Sequence, residues 1–262
     1  MSTLSFTLIQ TALHWEDKLA NLNMLEQKIR SIKQSQIVVL PEMFSTGFSM
    51  KPELLAETME GPSVQWMKKL SAEKKLILTG SLIINEEGKY YNRLIWMLPN
   101  GSFGYYDKRH LFAYGKEDQH YHSGNKRLIA SVNGWRINLQ VCYDLRFPVW
   151  ARQQPSEESD FEYDILIYVA NWPEKRNTAW KTLLRSRAVE NQCYVIGVNR
   201  VGNDGNNIFH SGDSMVIDPL GDILYHKTND EDIHTIALDK DHLNQVRDRF
   251  PFWRDADEFK VM

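Results

Sequence analysis

The chain is poor in cysteine: its 262 residues include two, Cys142 and Cys193. Two thiols cannot build a disulfide framework, so each is either a small buried apolar group or a reactive thiol. Long apolar runs are missing as well. None approaches the ~20 residues of a bilayer-crossing helix, and the amino terminus "MSTLSFTLIQTALHW" has neither a basic nor an extended apolar segment of the kind a secretory leader carries. A cytoplasmic protein with no membrane partner is expected. Charge of one sign does not accumulate either. Formal net charge is -3 and the pI is about 6.3, with acids and bases mixed along the chain, so there is no basic footprint for nucleic acid. No P-loop or G-x-G-x-x-G appears for a nucleotide, and no G-x-S-x-G elbow for a serine hydrolase. His120 and His122 form an H-x-H pair, but no further Cys or His nearby completes a zinc site, so they read as surface or loop-packing groups. No cofactor or metal is expected.

What is present is an ordinary globular composition, 42% apolar and 25% charged. A chain of this length can bury roughly three quarters of its unfolded surface. Strand-like and helix-like segments alternate. "LSFTLIQ" reads as a strand, and Leu19, Leu22, Leu25, Ile29 and Ile32 recur at helical spacing after it. "QIVVLPE" is a continuously apolar strand. A helix follows "GPS", with Ser63 as its candidate cap and Met67 and Leu70 facing inward. "KLILTGSLII", "KYYNRLIWML" and "GSFGYYDKRHL" form a meander, and residues 112–126, "FAYGKEDQHYHSGNK", read as a long loop. "RLIASVNG" and "WRINLQVCYD" make a hairpin about Asn133 and Gly134, followed by a short helix "FPVWARQQ" and a polar surface loop "PSEESDFEY". "DILIYVANWP" is a buried strand, "TAWKTLLRSRAVENQ" a helix with Leu183, Leu184 and Ala188 inward, and further strands lead to a last helix, "KDHLNQVRDRF". Several strands lie between some helices, so two mixed β-sheets between helix layers, a four-layer α/β sandwich, fit better than one doubly wound sheet. With no repeat, linker or low-complexity segment, one domain over 1–262 is expected.

Three polar residues stand at the ends of apolar strands, where α/β sheets place ligand sites. They are Glu42 in "VVLPEMF", Lys108 in "YYDKRHLF" and Cys142 in "VCYDLRF". Each alone has a plain reading: a solvated carboxylate, a solvated ammonium, a core cysteine. Together they supply a thiol nucleophile, a carboxylate to take and return its proton, and a cation for a developing oxyanion, the groups that amide hydrolysis needs. Cys193, at the start of a strand and followed by "YVIG", reads as core filler. Trp66, Trp96 and Trp150 read as core, whereas Trp172, just past a buried strand, is placed to wall a pocket.

"VVLPEMFSTGF", "YYDKRHLF" and "VCYDLRFPVW", in this order and at these intervals, resemble the nitrilase superfamily of carbon-nitrogen hydrolases. "YVANWP", "RSRAVENQCYVIGVNRVG" and "HSGDSMVIDPLG" extend the resemblance through the chain, toward the omega-amidase (2-oxoglutaramate amidase-like) branch. The resemblance implies an αββα sandwich with Glu42 as general base, Lys108 as oxyanion stabiliser, Cys142 as nucleophile and the backbone N–H of Tyr143 as second oxyanion donor. Glu117 in "GKEDQHYHSG" matches a second glutamate that many members carry to position substrate or deacylating water; a solvated loop carboxylate is the alternative. The implied substrate is a small dicarboxylic acid monoamide, whose carboxylate end calls for an arginine. Arg146 and Arg176 are the candidates, and surface ion pairs are their alternative. Another C–N hydrolase, acting on a nitrile, an N-carbamoyl group or deaminated glutathione, would share the triad. A catalytically silent binding protein on the same fold is the reading from another class. Family members commonly dimerise, so a homodimer is expected, and the tail "FPFWRDADEFKVM" could cross to the partner.

Overall fold

The computed structural model describes residues 2–154, 159–257 and 259; four residues of the polar loop, 155–158, and the end of the tail, 258 and 260–262, lie outside the described residues. In chain order the strands are β1 (Thr3–Gln10), β2 (Ile37–Val39), β3 (Ile77–Glu86), β4 (Lys89–Met97), β5 (Phe103–Asp107), β6 (Leu128–Val132), β7 (Trp135–Val141), β8 (Ile165–Ala170), β9 (Tyr194–Asn199), β10 (Val201–Asn203), β11 (Phe209–Ile217), β12 (Ile223–Thr228) and β13 (Asp232–Asp239). The α-helices are α1 (Lys18–Ser31), α2 (Pro52–Leu55), α3 (Pro62–Lys74), α4 (Glu117–His120), α5 (Pro148–Ala151), α6 (Asn177–Asn191) and α7 (Lys240–Arg249).

The strands form two mixed sheets. One runs β13-β1-β2-β3-β4-β5; the other runs β10-β11-β9-β8-β7-β6, with β12 paired to β11. Each has a parallel centre, β1-β2-β3 in the first and β7-β8-β9 in the second, flanked by antiparallel strands. The alternation of side chains along each strand explains the layering. Ile37 and Val39 point between the sheets, while Val38 and Leu40 point to the α1–α3 layer. Across the sandwich, Ile165, Ile167 and Val169 face the first sheet, and Leu166, Tyr168 and Ala170 face Trp180, Leu184 and Ala188 of α6. Strands covered on both faces read as unbroken apolar runs, as "IVVL" and "ILIYVA" do. The expected four-layer arrangement is therefore the one observed.

Some local expectations change. Leu19 is 70% exposed, so the buried stripe of α1 rests on Leu22, Leu25 and Ile29. Ser63 does not cap α3. Gly61 holds that position and Pro62 begins the helix, while the Ser63 backbone N–H donates to the Glu57 carboxylate, which thus serves the helix end from outside it. Residues 112–126 contain a 3-10 turn, Ala113–Gly115, and the single turn of α4. The segment "CYVIGVNRVG" is split by Arg200 into β9 and β10. Among the described residues, no helix is long and apolar enough to cross a membrane.

Ile167 is fully buried between the sheets. Ile167→Ala is expected to lower the unfolding free energy by about 2–5 kcal/mol, read by urea denaturation; a loss below about 0.5 kcal/mol, as at a surface site, would contradict the inter-sheet core described.

Candidate active site

Three strand ends converge at one edge of the sandwich. β2 runs into a tight turn at Pro41 and Glu42, where Met43 takes a left-handed conformation, φ 43°. The turn is fastened to β3: the Met43 N–H donates to the Ser81 hydroxyl at 2.8 Å and the Phe44 N–H to the Ser81 carbonyl at 3.1 Å. Gly80 permits this approach, because a Cβ there would lie 2.8 Å from the Phe44 ring and 2.9 Å from Leu40 Cβ. Lys108 directly follows β5 and is fully buried, as are Glu42 and Glu117. Its Nζ donates to Glu42 Oε1 at 2.9 Å and to Glu117 Oε1 and Oε2 at 3.0 and 2.9 Å. Asn92, on β4, bridges the same two carboxylates through Nδ2, at 2.8 Å to Glu42 and 3.2 Å to Glu117. The second Glu42 oxygen accepts the Asn171 backbone N–H at 2.8 Å, and the Phe112 backbone N–H reaches Glu117 Oε2 at 2.6 Å. Glu117 is therefore a buried member of the cluster; the solvated reading does not apply.

Cys142 closes the constellation from the other sheet. β7 ends at Val141, and Cys142, at φ 45°, begins a 3-10 turn, Cys142–Arg146. A non-glycine residue in the left-handed region costs roughly 1–3 kcal/mol and persists where its surroundings hold it. This bend turns the thiol out of the sheet. Cys142 is partly exposed, in contrast to the buried Cys193. The latter packs in the core beside α6, as expected of filler.

The thiol opens onto a cavity of about 280 Å³, which Lys108, Tyr143, Arg146, Trp172 and Arg176 also line. Trp172 is both wall and core: its ring packs on Trp180 and its Nε1–H donates to the Arg176 carbonyl at 2.8 Å. The Arg146 guanidinium lies over the Trp172 ring, 4.8 Å from its centroid, and that of Arg176 over Phe112 at 5.2 Å. Both line the cavity, together with Asp204, and neither forms an ion pair with a described residue. His120 lies on α4 and His122 is exposed, its ring 5.9 Å from that of Tyr91. Among the described residues no cluster of three potential metal ligands occurs.

The carbon-nitrogen hydrolase family model matches residues 6–248. The chain belongs to that family. This hydrolase is 41% identical over 263 residues to the omega-amidase YafV of Escherichia coli (strain K12), covering 100% of both chains. It is 32% identical over 228 residues, 85% of each chain, to a 2-oxoglutaramate amidase of Bacillus subtilis (strain 168). Among solved structures, a CN-hydrolase superfamily protein from Xanthomonas campestris, which carries an arsenic adduct in its active site, superposes with a TM-score of 0.98 at 42% identity over 100% of both chains.

Several groups of the hydrolase's site were not anticipated from sequence. Asn92 and Asn171 are polar residues inside or just past apolar strands, "YYNRLIW" and "YVANWP", and that mismatch was the available signal. The Phe112 N–H is a backbone contact and left no sequence trace. The electrostatics follow from the geometry. Burial and the Glu42 carboxylate push the Cys142 thiol well above its ordinary value, with Lys108 acting against them. Burial works against the charge on Lys108, but Glu117 and Glu42 more than offset it and hold the ammonium above its usual range. Burial raises Glu117, opposed by Lys108. Iodoacetamide alkylates thiolate, so labelling of Cys142 is expected to rise with pH around a midpoint above the ~8.5 of a free thiol. Glu42→Gln removes a negative neighbour and is expected to lower that midpoint; a midpoint that stays or rises in the variant would contradict this electrostatic reading.

Proposed function

We propose that the hydrolase removes the terminal amide of a small dicarboxylic acid monoamide, of the 2-oxoglutaramate type, as carboxylate and ammonia. The observation that supports this reading most strongly is the pairing, in one cavity, of a thiol beside a Glu-bound lysine with two guanidinium groups that form no ion pair among the described residues. The first part suits acyl transfer and the second suits a substrate that carries a carboxylate. The 2-oxoglutaramate amidase and omega-amidase relatives agree with this choice of substrate.

In this reading Glu42 takes the Cys142 proton as sulfur attacks the amide carbonyl carbon. The carbonyl π pair moves onto oxygen, where Lys108 Nζ and the Tyr143 backbone N–H stabilise it. Collapse of the tetrahedral adduct expels the amide nitrogen, which Glu42 protonates, leaving ammonia and a thioester. Water then enters, gives a proton to Glu42 and attacks the thioester carbonyl; the second adduct expels the thiolate, which recovers its proton from Glu42. A raised thiol pKa fits this sequence, since proton removal is coupled to attack instead of preceding it. Glu117 holds the Lys108 ammonium in place and, through Asn92, orients Glu42. Arg146 and Arg176 bind the substrate carboxylate over the Trp172 and Phe112 rings. The reading extends to a single catalytic domain over 1–262, acting in the cytoplasm as a homodimer.

The test is ammonia release from a panel: 2-oxoglutaramate, a nitrile, an N-carbamoyl compound and deaminated glutathione. The monoamide is expected to give the highest kcat/KM, Cys142→Ala to abolish turnover, and Lys108→Ala to reduce kcat roughly 10²- to 10³-fold. Arg146→Ala or Arg176→Ala should lower kcat/KM for the monoamide by roughly 10- to 100-fold, the worth of one charge-assisted contact. Turnover by a folded Cys142→Ala protein would overturn the mechanism; preference for another panel member would overturn the substrate.

A further inference from the structure

Asp144 lies two residues past Cys142, is fully buried, and takes no part in the chemistry just described. Its carboxylate accepts four hydrogen bonds from three residues on two segments. Oδ1 accepts the backbone N–H of His110 at 2.9 Å and is 2.8 Å from the His110 Nδ1. Oδ2 accepts the Tyr106 hydroxyl at 2.8 Å and the Val141 backbone N–H at 3.0 Å. These segments are not arbitrary. Tyr106 and His110 stand two residues before and two after Lys108, and Val141 immediately precedes Cys142.

The network continues on the lysine side. The Tyr106 oxygen, while donating to Asp144, accepts the Arg109 backbone N–H at 3.1 Å and Trp150 Nε1–H at 2.9 Å. Burial, with the Asp144 carboxylate next to it, pushes the Tyr106 phenol well above its ordinary value, so that hydroxyl remains a donor. The His110 ring stacks on Phe147 at 3.8 Å, which keeps Nδ1 directed at Asp144. The sheets that carry Lys108 and Cys142 are also joined here by the Asn171 bonds to Glu42, but those reach Glu42 and not the segments of Lys108 and Cys142 themselves, which Asp144 alone links directly among the contacts named.

We propose that Asp144 is a positioning residue that fixes the Lys108 ammonium relative to the Cys142 thiol by tying the end of β5 to the bend after β7. This rests on the assignment of Lys108 and Cys142 made above. A carboxylate suits the task and an amide does not, because both Asp144 oxygens face donors. Whichever way the amide of an Asp144→Asn variant turns, its N–H₂ meets either the His110 N–H or the Tyr106 O–H and Val141 N–H.

The experiment compares Asp144→Asn with wild type for 2-oxoglutaramate turnover at 25 °C, with circular dichroism and the stoichiometry of Cys142 alkylation reporting the folded fraction. Misplacement by about an ångström in an active site can lower rate 10²-fold, so kcat per folded site is expected to fall at least roughly tenfold, with KM within about threefold of wild type. Wild-type kcat per folded site would overturn the proposal, and so would a loss explained by the folded fraction alone. Should Asp144→Asn fail to fold, Tyr106→Phe and His110→Ala each remove one side-chain donor; a kcat loss of at least roughly threefold in either at unchanged KM supports the role, and wild-type kcat in both overturns it. Cys142→Ala keeps the two questions apart: its inactivity upholds the triad whatever Asp144 does.

Discussion

The site depends on a lysine that has been taken out of water. The Lys108 ammonium is wholly buried, and an ion in that position carries a desolvation penalty of several kcal/mol unless opposite charge and hydrogen bonds surround it. Glu42 and Glu117 provide both, through three contacts of 2.9–3.0 Å. The carboxylates are buried as well, so each member of the cluster is tolerable only while the others are present. That mutual requirement makes the arrangement rigid, and a rigid cation is what an oxyanion site needs. It also spans the sandwich. One oxygen of Glu42 is held from the first sheet by Lys108 and Asn92, the other from the second sheet by the Asn171 N–H. Asn171 Nδ2 returns to the Glu42 carbonyl at 2.6 Å, so one residue past β8 fixes both ends of the glutamate.

The cavity is lined by three cations, Lys108, Arg146 and Arg176, and by one carboxylate, Asp204. Glu42 and Glu117 stand behind the thiol and do not line the cavity, whereas Lys108 reaches it from between them. Arg146 and Arg176 line the cavity from segments that follow β7 and β8. An amide end is neutral and suits the inner region, while a carboxylate end suits the guanidinium groups. Each arginine lies over an aromatic ring of the cavity wall, Arg146 over Trp172 and Arg176 over Phe112. The thiol lies above its ordinary value although a lysine stands beside it. Burial and Glu42 together outweigh the Lys108 charge.

The sequence carried the fold through periodicity. Runs such as "IVVL" and "ILIYVA" are apolar on both faces, and direct strand-to-strand joins at 77–107 exclude a purely parallel sheet. Glu42, Lys108 and Cys142 were legible because a polar residue ending an apolar strand is conspicuous. Glu117 was harder. It lies on one turn of helix inside an aperiodic loop, and its burial depends on Lys108 reaching it from β5. Arg146 and Arg176 could be named only as candidates, since a guanidinium that faces a cavity differs from an ion-paired one only in what surrounds it. Asp144 did not stand out in the sequence. Its importance lies in which backbone groups fold back onto it, and those come from residues more than thirty positions earlier as well as from its own turn. Ser63 and Leu19 misled for a simpler reason: local patterns suggested a cap and a wider buried face, whereas Glu57 serves the end of α3 and the buried face of α1 begins at Leu22 with Leu19 exposed.

The central claim is that Cys142 becomes acylated while Glu42 and Lys108 handle proton and charge. Acid quenching of the enzyme during turnover of a monoamide, followed by peptide mass spectrometry, tests it most directly. The account predicts an adduct of substrate mass less ammonia on the peptide that carries Cys142, absent from Cys142→Ala. A quenched enzyme that turns over substrate yet carries no adduct in either the early or the steady-state phase, or carries it on Cys193, would contradict it.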